Sequence, residues 1–150
     1  MTTTSTSSTA AGTDDRAQVR QVLVPTAVAV AVVAGILSWL FADSAAEGAS
    51  EVGFIVLLSA AIFGLVVARG LRHAAAGGRG IALGAIGLLA VPVLFWSGMP
   101  LVLGAGATLL GQAGRRADTG SGKAIAAFVL GVLTVIGYVA VYVGDYVHTH

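Results

Sequence analysis

This 150-residue chain is 57% hydrophobic and 10% charged, with mean hydropathy +0.92, whereas a soluble domain carries about 25% charged residues. Such a monomer would not stay dispersed in water, and the absence of cysteine excludes disulfides, thiol catalysis and zinc–thiolate sites. Net charge is only +1 and no basic patch is interleaved with aromatics, so nucleic acid is not an expected partner.

Residues 1–21 open with the low-complexity run MTTTSTSSTAAG and predict a disordered, Ser/Thr-rich cytoplasmic tail with a juxtamembrane turn. Thr13-Asp14-Asp15 could cap a helix, since acids favour a first turn, although a solvated tail is the simpler account. Residues 22–150 form one multi-pass membrane domain. Its first segment, 22–42, has 21 uncharged residues, long enough to cross a hydrocarbon core of about 30 Å. Pro25 is expected near the helix start, where its missing N–H costs little. Ala42-Asp43-Ser44 faintly resembles a cleavage site, but the long apolar stretch reads better as an uncleaved anchor.

A short acidic loop, Asp43 to Glu51, leads to the second segment, 52–68, which ends in a loop carrying Arg69, Arg72, His73 and Arg79. Residues 81–111 then run 31 positions without a charge, interrupted by Pro92 and by Ser97-Gly98-Met99-Pro100. One kinked helix would send Arg115, Arg116 and Lys123 to the side opposite all other basic residues. A hairpin of two short helices, 81–96 and 101–114, returns them, as the positive-inside rule requires. Such short arms could also re-enter without a full crossing. The last segment, 124–144, ends at Asp145 and YVHTH. The expected fold is therefore an all-α integral membrane protein of five hydrophobic helical segments, with the third and fourth forming a short hairpin. The N-terminus is inside; Asp43, Glu47, Glu51 and Asp145 are outside.

Two further patterns agree with that sidedness. Trp39, Phe41, Phe54, Phe95, Trp96, Tyr142 and Tyr146 fall near the expected outer ends, where amphipathic rings prefer the interface, with Phe128 as an exception. A weak internal repeat aligns Gly78-Arg79-Gly80-Ile81-Ala82 with Gly122-Lys123-Ala124-Ile125-Ala126, and Gly87 with Gly131. Similar starts imply similar entry, hence an even number of crossings between them. Seven arginines against one lysine, and the abundance of Ala, Gly and Val, suggest GC-rich codons and a bacterial source. The cytoplasmic membrane is the expected location.

Small residues recur every four positions, placing them on single stripes suited to close helix contact. The candidate packing residues are Ala31 and Gly35 with Ala27 on the first helix, and Ala60 and Gly64 with Ala68 on the second. Gly80 and Gly84 follow on the third, Ala107 and Gly111 on the fourth, and Ala127 and Gly131 on the fifth. Packing within the bundle is the simpler role; an oligomer interface is the other.

No ionisable group lies in a predicted membrane core, which argues against a pump or coupled transporter. The hydroxyls of Thr26, Ser38, Ser59, Ser97, Thr108, Thr134 and Tyr138 can bond their own helix backbones. Asp145, His148 and His150 have the chemistry of a metal site, but they sit on an expected frayed terminus, so no metal or cofactor is predicted. Gly78-Arg79-Gly80 and Gly104-Ala105-Gly106 follow no strand, and a phosphate-binding reading is poor. No nucleophile accompanies a base and an orienting group, so an enzyme is not expected.

Leu109 to Arg116 reads LLGQAGRR; a short glycine-rich loop follows, and Lys123 to Gly131 reads KAIAAFVLG. These residues resemble small bacterial membrane proteins, common in actinobacteria and defined only as a domain of unknown function, over about residues 80–144. The group shows a similar short helix ending in basic residues and then an AIAGxVLG-like helix. Ala127 stands where the group often has glycine, implying a looser helix approach. The resemblance implies architecture and no activity. Two function classes remain: a structural or accessory component that binds a membrane-protein partner or packs as a homo-oligomer, or, alternatively, a small passive channel or transporter with the Gly-rich hairpin as a re-entrant element.

Overall fold

The first helix, α1, runs unbroken from Ser8 to Phe41 in the computed structural model, which describes residues 8–71, 76–116 and 121–149. Residues 8–21, expected to be disordered, are therefore helical, and Thr13–Asp15 lie within the helix rather than at its start. Between Ser8 and Gln21 there is no proline and Gly12 is the poorest helix former, and extending a helix that already exists costs little. Residues 1–7 lie outside the described residues. Pro25 is inside α1, where it removes the N–H that would serve the Gln21 carbonyl. The next residue, Thr26, donates its hydroxyl to the Val22 carbonyl at 2.8 Å.

The expected acidic loop is much shorter than 43–51. Helix α2 (Ala45–Ala61) starts seven residues before the predicted Val52, because Ser44-Ala45-Ala46-Glu47 is a capping sequence. Ser44 is extended (φ −145°, ψ 155°) and its Oγ accepts from the Glu47 N–H at 3.2 Å. The helix widens into a π-helical stretch, Ile62–Val67, and resumes as α3 (Ala68–Gly70). The wider turn puts Ile62, Phe63 and Val67 on the buried side together, with Gly64 and Leu65 outward. Arg72 and His73 lie outside the described residues.

Helix α4 (Ala76–Leu94) and helix α5 (Met99–Arg116) form the expected hairpin, with arms longer than the predicted 81–96 and 101–114. The turn is a 3-10 stretch, Phe95–Ser97, followed by Gly98 at φ 66°. Glycine adopts that left-handed conformation without a Cβ penalty. Pro100 lies in the first turn of α5, where an N–H has no intrahelical partner to lose. Helix α6 (Ser121–Thr149) extends past the predicted 124–144 at both ends. The loop containing Thr119 lies outside the described residues.

Helix α5 is the centre of the molecule. It packs against α4 and α6, which also pack on each other, and its other side receives the antiparallel pair α1–α2 with the π-helical stretch. One cluster of buried side chains joins Ile62, Phe63, Val67, Leu83, Val102 and Leu110; a second joins Ala34, Ile55, Val91, Leu101, Tyr138 and Tyr142. The contacts run Gly77–Ala124, Gly80–Ala127 and Gly84–Leu130, so α4 and α6 are parallel neighbours. Arg69, Arg79, Arg115 and Lys123 accordingly share one end of the bundle. Asp43, Glu47, Asp145 and the 95–98 turn belong to the opposite half.

Among the described residues all regular structure is helical, which matches the all-α class. Four helical rods are long and apolar enough to cross a membrane: Gln21–Leu40, Ala45–Gly70, Ala76–Ser97 and Gly122–Asp145. The expected count of five apolar segments is matched in part: four qualify by length and hydropathy, and α5 does not. Large exposed apolar side chains stud α1, α2, α4 and α6, with Leu40 at 71%, Leu57 at 73% and Leu89 at 76% exposure; none lies on α5. A helix enclosed by protein needs small, well-fitting residues rather than a lipid-compatible surface.

Candidate functional site: a glycine seam and a recess at the acidic end

The small residues of α4, α5 and α6 converge on one seam. A methyl added to Gly84 would stand 2.7 Å from the Leu130 Cβ, and one on Gly80 would stand 2.7 Å from the Ala127 Cβ. Gly111 lies directly on the backbone of Phe128, and a methyl there would also approach the Ala124 carbonyl oxygen at 2.8 Å. Across the same interface, a methyl on Gly131 would lie 2.6 Å from the Thr108 backbone nitrogen and 2.7 Å from the Gly104 carbonyl oxygen. Ala107 is fully buried and its carbonyl oxygen borders Gly80. The methyl of Ala127 faces a glycine, so this helix pair stays close despite the larger residue. Gly104 and Gly106, the second of the two GxG patterns, are packing positions too: Gly104 meets the Gly131 carbonyl and Gly106 meets Val67.

The stripes of α1 and α2 behave differently. A methyl added to Gly35 would meet only Val52 side-chain atoms, at 3.6 and 3.7 Å, and Ala31 and Gly35 line an apolar groove of about 500 Å³ with Val28, Trp39, Val52 and Val56. Ala60 is exposed, and a methyl on Gly64 would meet nothing within 4 Å. These two are therefore not brought into the seam.

Some hydroxyls serve their own helices as expected. Thr108 donates to the Gly104 carbonyl at 2.9 Å, and Thr134 to the Leu130 carbonyl at 2.8 Å. Thr134 also reaches across to the Gly84 carbonyl at 3.1 Å, a polar tie between α6 and α4. Ser38, Ser59 and Tyr138 are buried, and their hydroxyls make no hydrogen bond among the described residues.

At the acidic end the hairpin turn docks between α1 and α2, with Gly98 seated against Ile55 and Ala34. A short aromatic chain leads from it into α6: Trp96 and Phe95 are edge-on with centroids 6.0 Å apart, Phe95 and Tyr142 likewise at 6.0 Å, and Tyr142 and Tyr138 are tilted at 4.9 Å. Beside the turn lies a recess of about 320 Å³ lined by Ser50, Glu51, Phe54, Trp96 and Ser97. Sequence reasoning placed Glu51 in a loop. The early start of α2 instead puts it on a helix facing the turn, and the capping sequence at Ser44 was the available signal. At the basic end the Arg115 guanidinium lies over the Phe128 ring at 5.6 Å, which gives this exception to the outer-end pattern a partner.

Among the described residues no three of His, Cys, Asp and Glu come together to hold a metal. Asp145 and His148 are helical positions of α6, and His150 lies outside the described residues. No protein-family model matches the chain, and neither the curated proteins nor the solved structures provide a significant match.

Proposed function

We propose that this chain is a multi-pass protein of the bacterial cytoplasmic membrane with a structural or accessory role, holding a partner helix or a second copy of itself. The observation that supports this reading best is the apolar belt on α1, α2, α4 and α6 wrapped around an α5 that carries none of it. Lipid is the medium in which such a belt is stable. Arg69, Arg79, Arg115 and Lys123 lie at one end, which supports an orientation with that end, and the start of α1, toward the cytoplasm. The 18 residues of α5 span roughly 27 Å, close to a hydrocarbon thickness of about 30 Å, so five crossings are favoured over re-entry.

The uncovered Ala60–Gly64 face has the four-residue spacing through which helices approach closely, and it supports helix docking. A passive pore through the three-helix unit has less support, because direct backbone contacts close its centre. The resemblance to small actinobacterial membrane proteins is compatible with the proposal and adds no chemistry. The chain has no native cysteine, so single-cysteine variants report cleanly. Ser97→Cys should label from outside and Thr119→Cys from inside. Purification in mild detergent should yield a defined oligomer or a stoichiometric partner, and Ala60→Cys should cross-link to it. A strictly monomeric, partner-free particle would defeat the role, and labelling of Thr119→Cys from outside would defeat the topology.

A further inference from the structure

Of the acids at this end, Asp43, Glu47 and Asp145 are exposed, and Glu51 is half-buried. It lines the 320 Å³ recess between α2 and the hairpin turn. No hydrogen bond or ion pair reaches its carboxylate among the described residues; Arg69, Arg79, Arg115 and Lys123 belong to the far end of the bundle, and His148, the basic side chain in the last turn of α6, is exposed.

The rest of the lining has a consistent chemistry. Ser50 donates its proton to the Glu47 carbonyl at 2.8 Å, and Ser97 donates its own to the Leu94 carbonyl at 2.7 Å. The Ser97 oxygen also accepts from the Met99 N–H at 3.3 Å. With both protons committed, the two hydroxyls can offer a ligand only lone pairs. Phe54 and Trp96, each 51% exposed, add aromatic surface. Apart from the Trp96 indole N–H, the side chains lining the recess offer a ligand no free donor. One uncompensated carboxylate, acceptor oxygens and two aromatic rings make a poor home for an anion or a neutral apolar group. They suit a small cation that is partly apolar, because ring quadrupoles attract positive charge most strongly where water is excluded. The volume lies at the small end of the range for ligand pockets, about 300–1,000 Å³.

We propose that this recess binds a small organic cation, an alkylammonium or quaternary ammonium group, with Glu51 as its counter-ion and Trp96 and Phe54 as its aromatic walls. The group could arrive as a free solute or as the amine of a lipid headgroup. Neither source depends on the docking role proposed above.

The test uses the full chain in detergent with Trp39→Phe as background, so that Trp96 is the sole tryptophan. Titration with tetramethylammonium chloride should change its fluorescence saturably, while sodium chloride at equal ionic strength should not. Glu51→Gln should weaken the response at least tenfold and Phe54→Leu several-fold. Glu47→Gln, one turn away and exposed, should leave it unchanged. Each variant must first show parental helical circular dichroism and a monodisperse profile. A linear response, an equal response to sodium, or an unaltered curve in Glu51→Gln would overturn the proposal. Repeating the titration in nanodiscs separates the sources. Competition from phosphatidylethanolamine but not phosphatidylglycerol assigns the headgroup, and identical curves assign the free solute.

Discussion

The α4–α5–α6 unit and the α1–α2 pair are built from the same Ala, Gly and Val vocabulary, yet they hold together differently. In the first, glycines let backbones touch: Gly111 lies on Phe128, and Gly131 on Thr108 and Gly104. In the second, side chains intervene. A methyl added to Gly35 would meet the Val52 side chain, one on Gly48 would stand 3.0 Å from the Trp39 ring, and one on Gly53 or Gly64 would meet nothing within 4 Å. A four-residue spacing of small residues therefore permits close approach but does not guarantee it; the partner's surface decides.

That contrast can be broken most forcefully at Gly111. Gly111→Leu forces a side chain into backbone atoms that cannot rotate away, so a destabilisation of about 3 kcal/mol or more is expected, read as a lower midpoint in an SDS unfolding titration. Retained stability would mean that α5 and α6 are not in backbone contact. The next largest effect is expected at the turn. Gly98→Ala combines a left-handed residue, roughly 1–2 kcal/mol, with a Cβ placed 3.0 Å from Ile55 and 3.2 Å from Ala34. It should loosen the docking of the hairpin between α1 and α2, measured as faster hydrogen exchange at Ile55 and Leu101.

Thr134→Val keeps the shape and removes the bond to the Gly84 carbonyl. A loss of roughly 0.6 kcal/mol is expected, the mean found for hydrogen bonds between membrane helices, detectable in the same SDS titration. A loss above about 2 kcal/mol would mean that this bond anchors the seam rather than trimming it. At the far end of the scale, Gly64→Ala meets open space and should leave monomer stability within about 0.5 kcal/mol. If a helix docks on that face, the variant should still weaken the oligomer or partner complex in cross-linking, which separates folding from association.

Composition and charge order made much of the architecture legible. The long uncharged runs marked the helices, and the arginines at 69, 79 and 115 with Lys123 required the middle stretch to double back, as α4 and α5 do. Boundaries were less legible, since Ser44 and Glu47 read as loop residues until their spacing is recognised as a cap. The π-helical stretch at Ile62–Val67 left no pattern in a run of apolar residues. Nor did spacing tell the covered Gly80 from the open Gly64.

What the amino-acid order settles here is that the long apolar stretches are helical and which of their ends carry the arginines and the lysine. Those properties come from local composition and from the desolvation of charge, and neither needs a neighbour. Only three-dimensional packing put the least apolar helix, α5, at the centre, turned Glu51 into the wall of a recess, and chose which glycines touch a backbone. Such contacts join residues far apart in the chain, and their energy depends on fits of a few tenths of an ångström that hydropathy and periodicity do not encode.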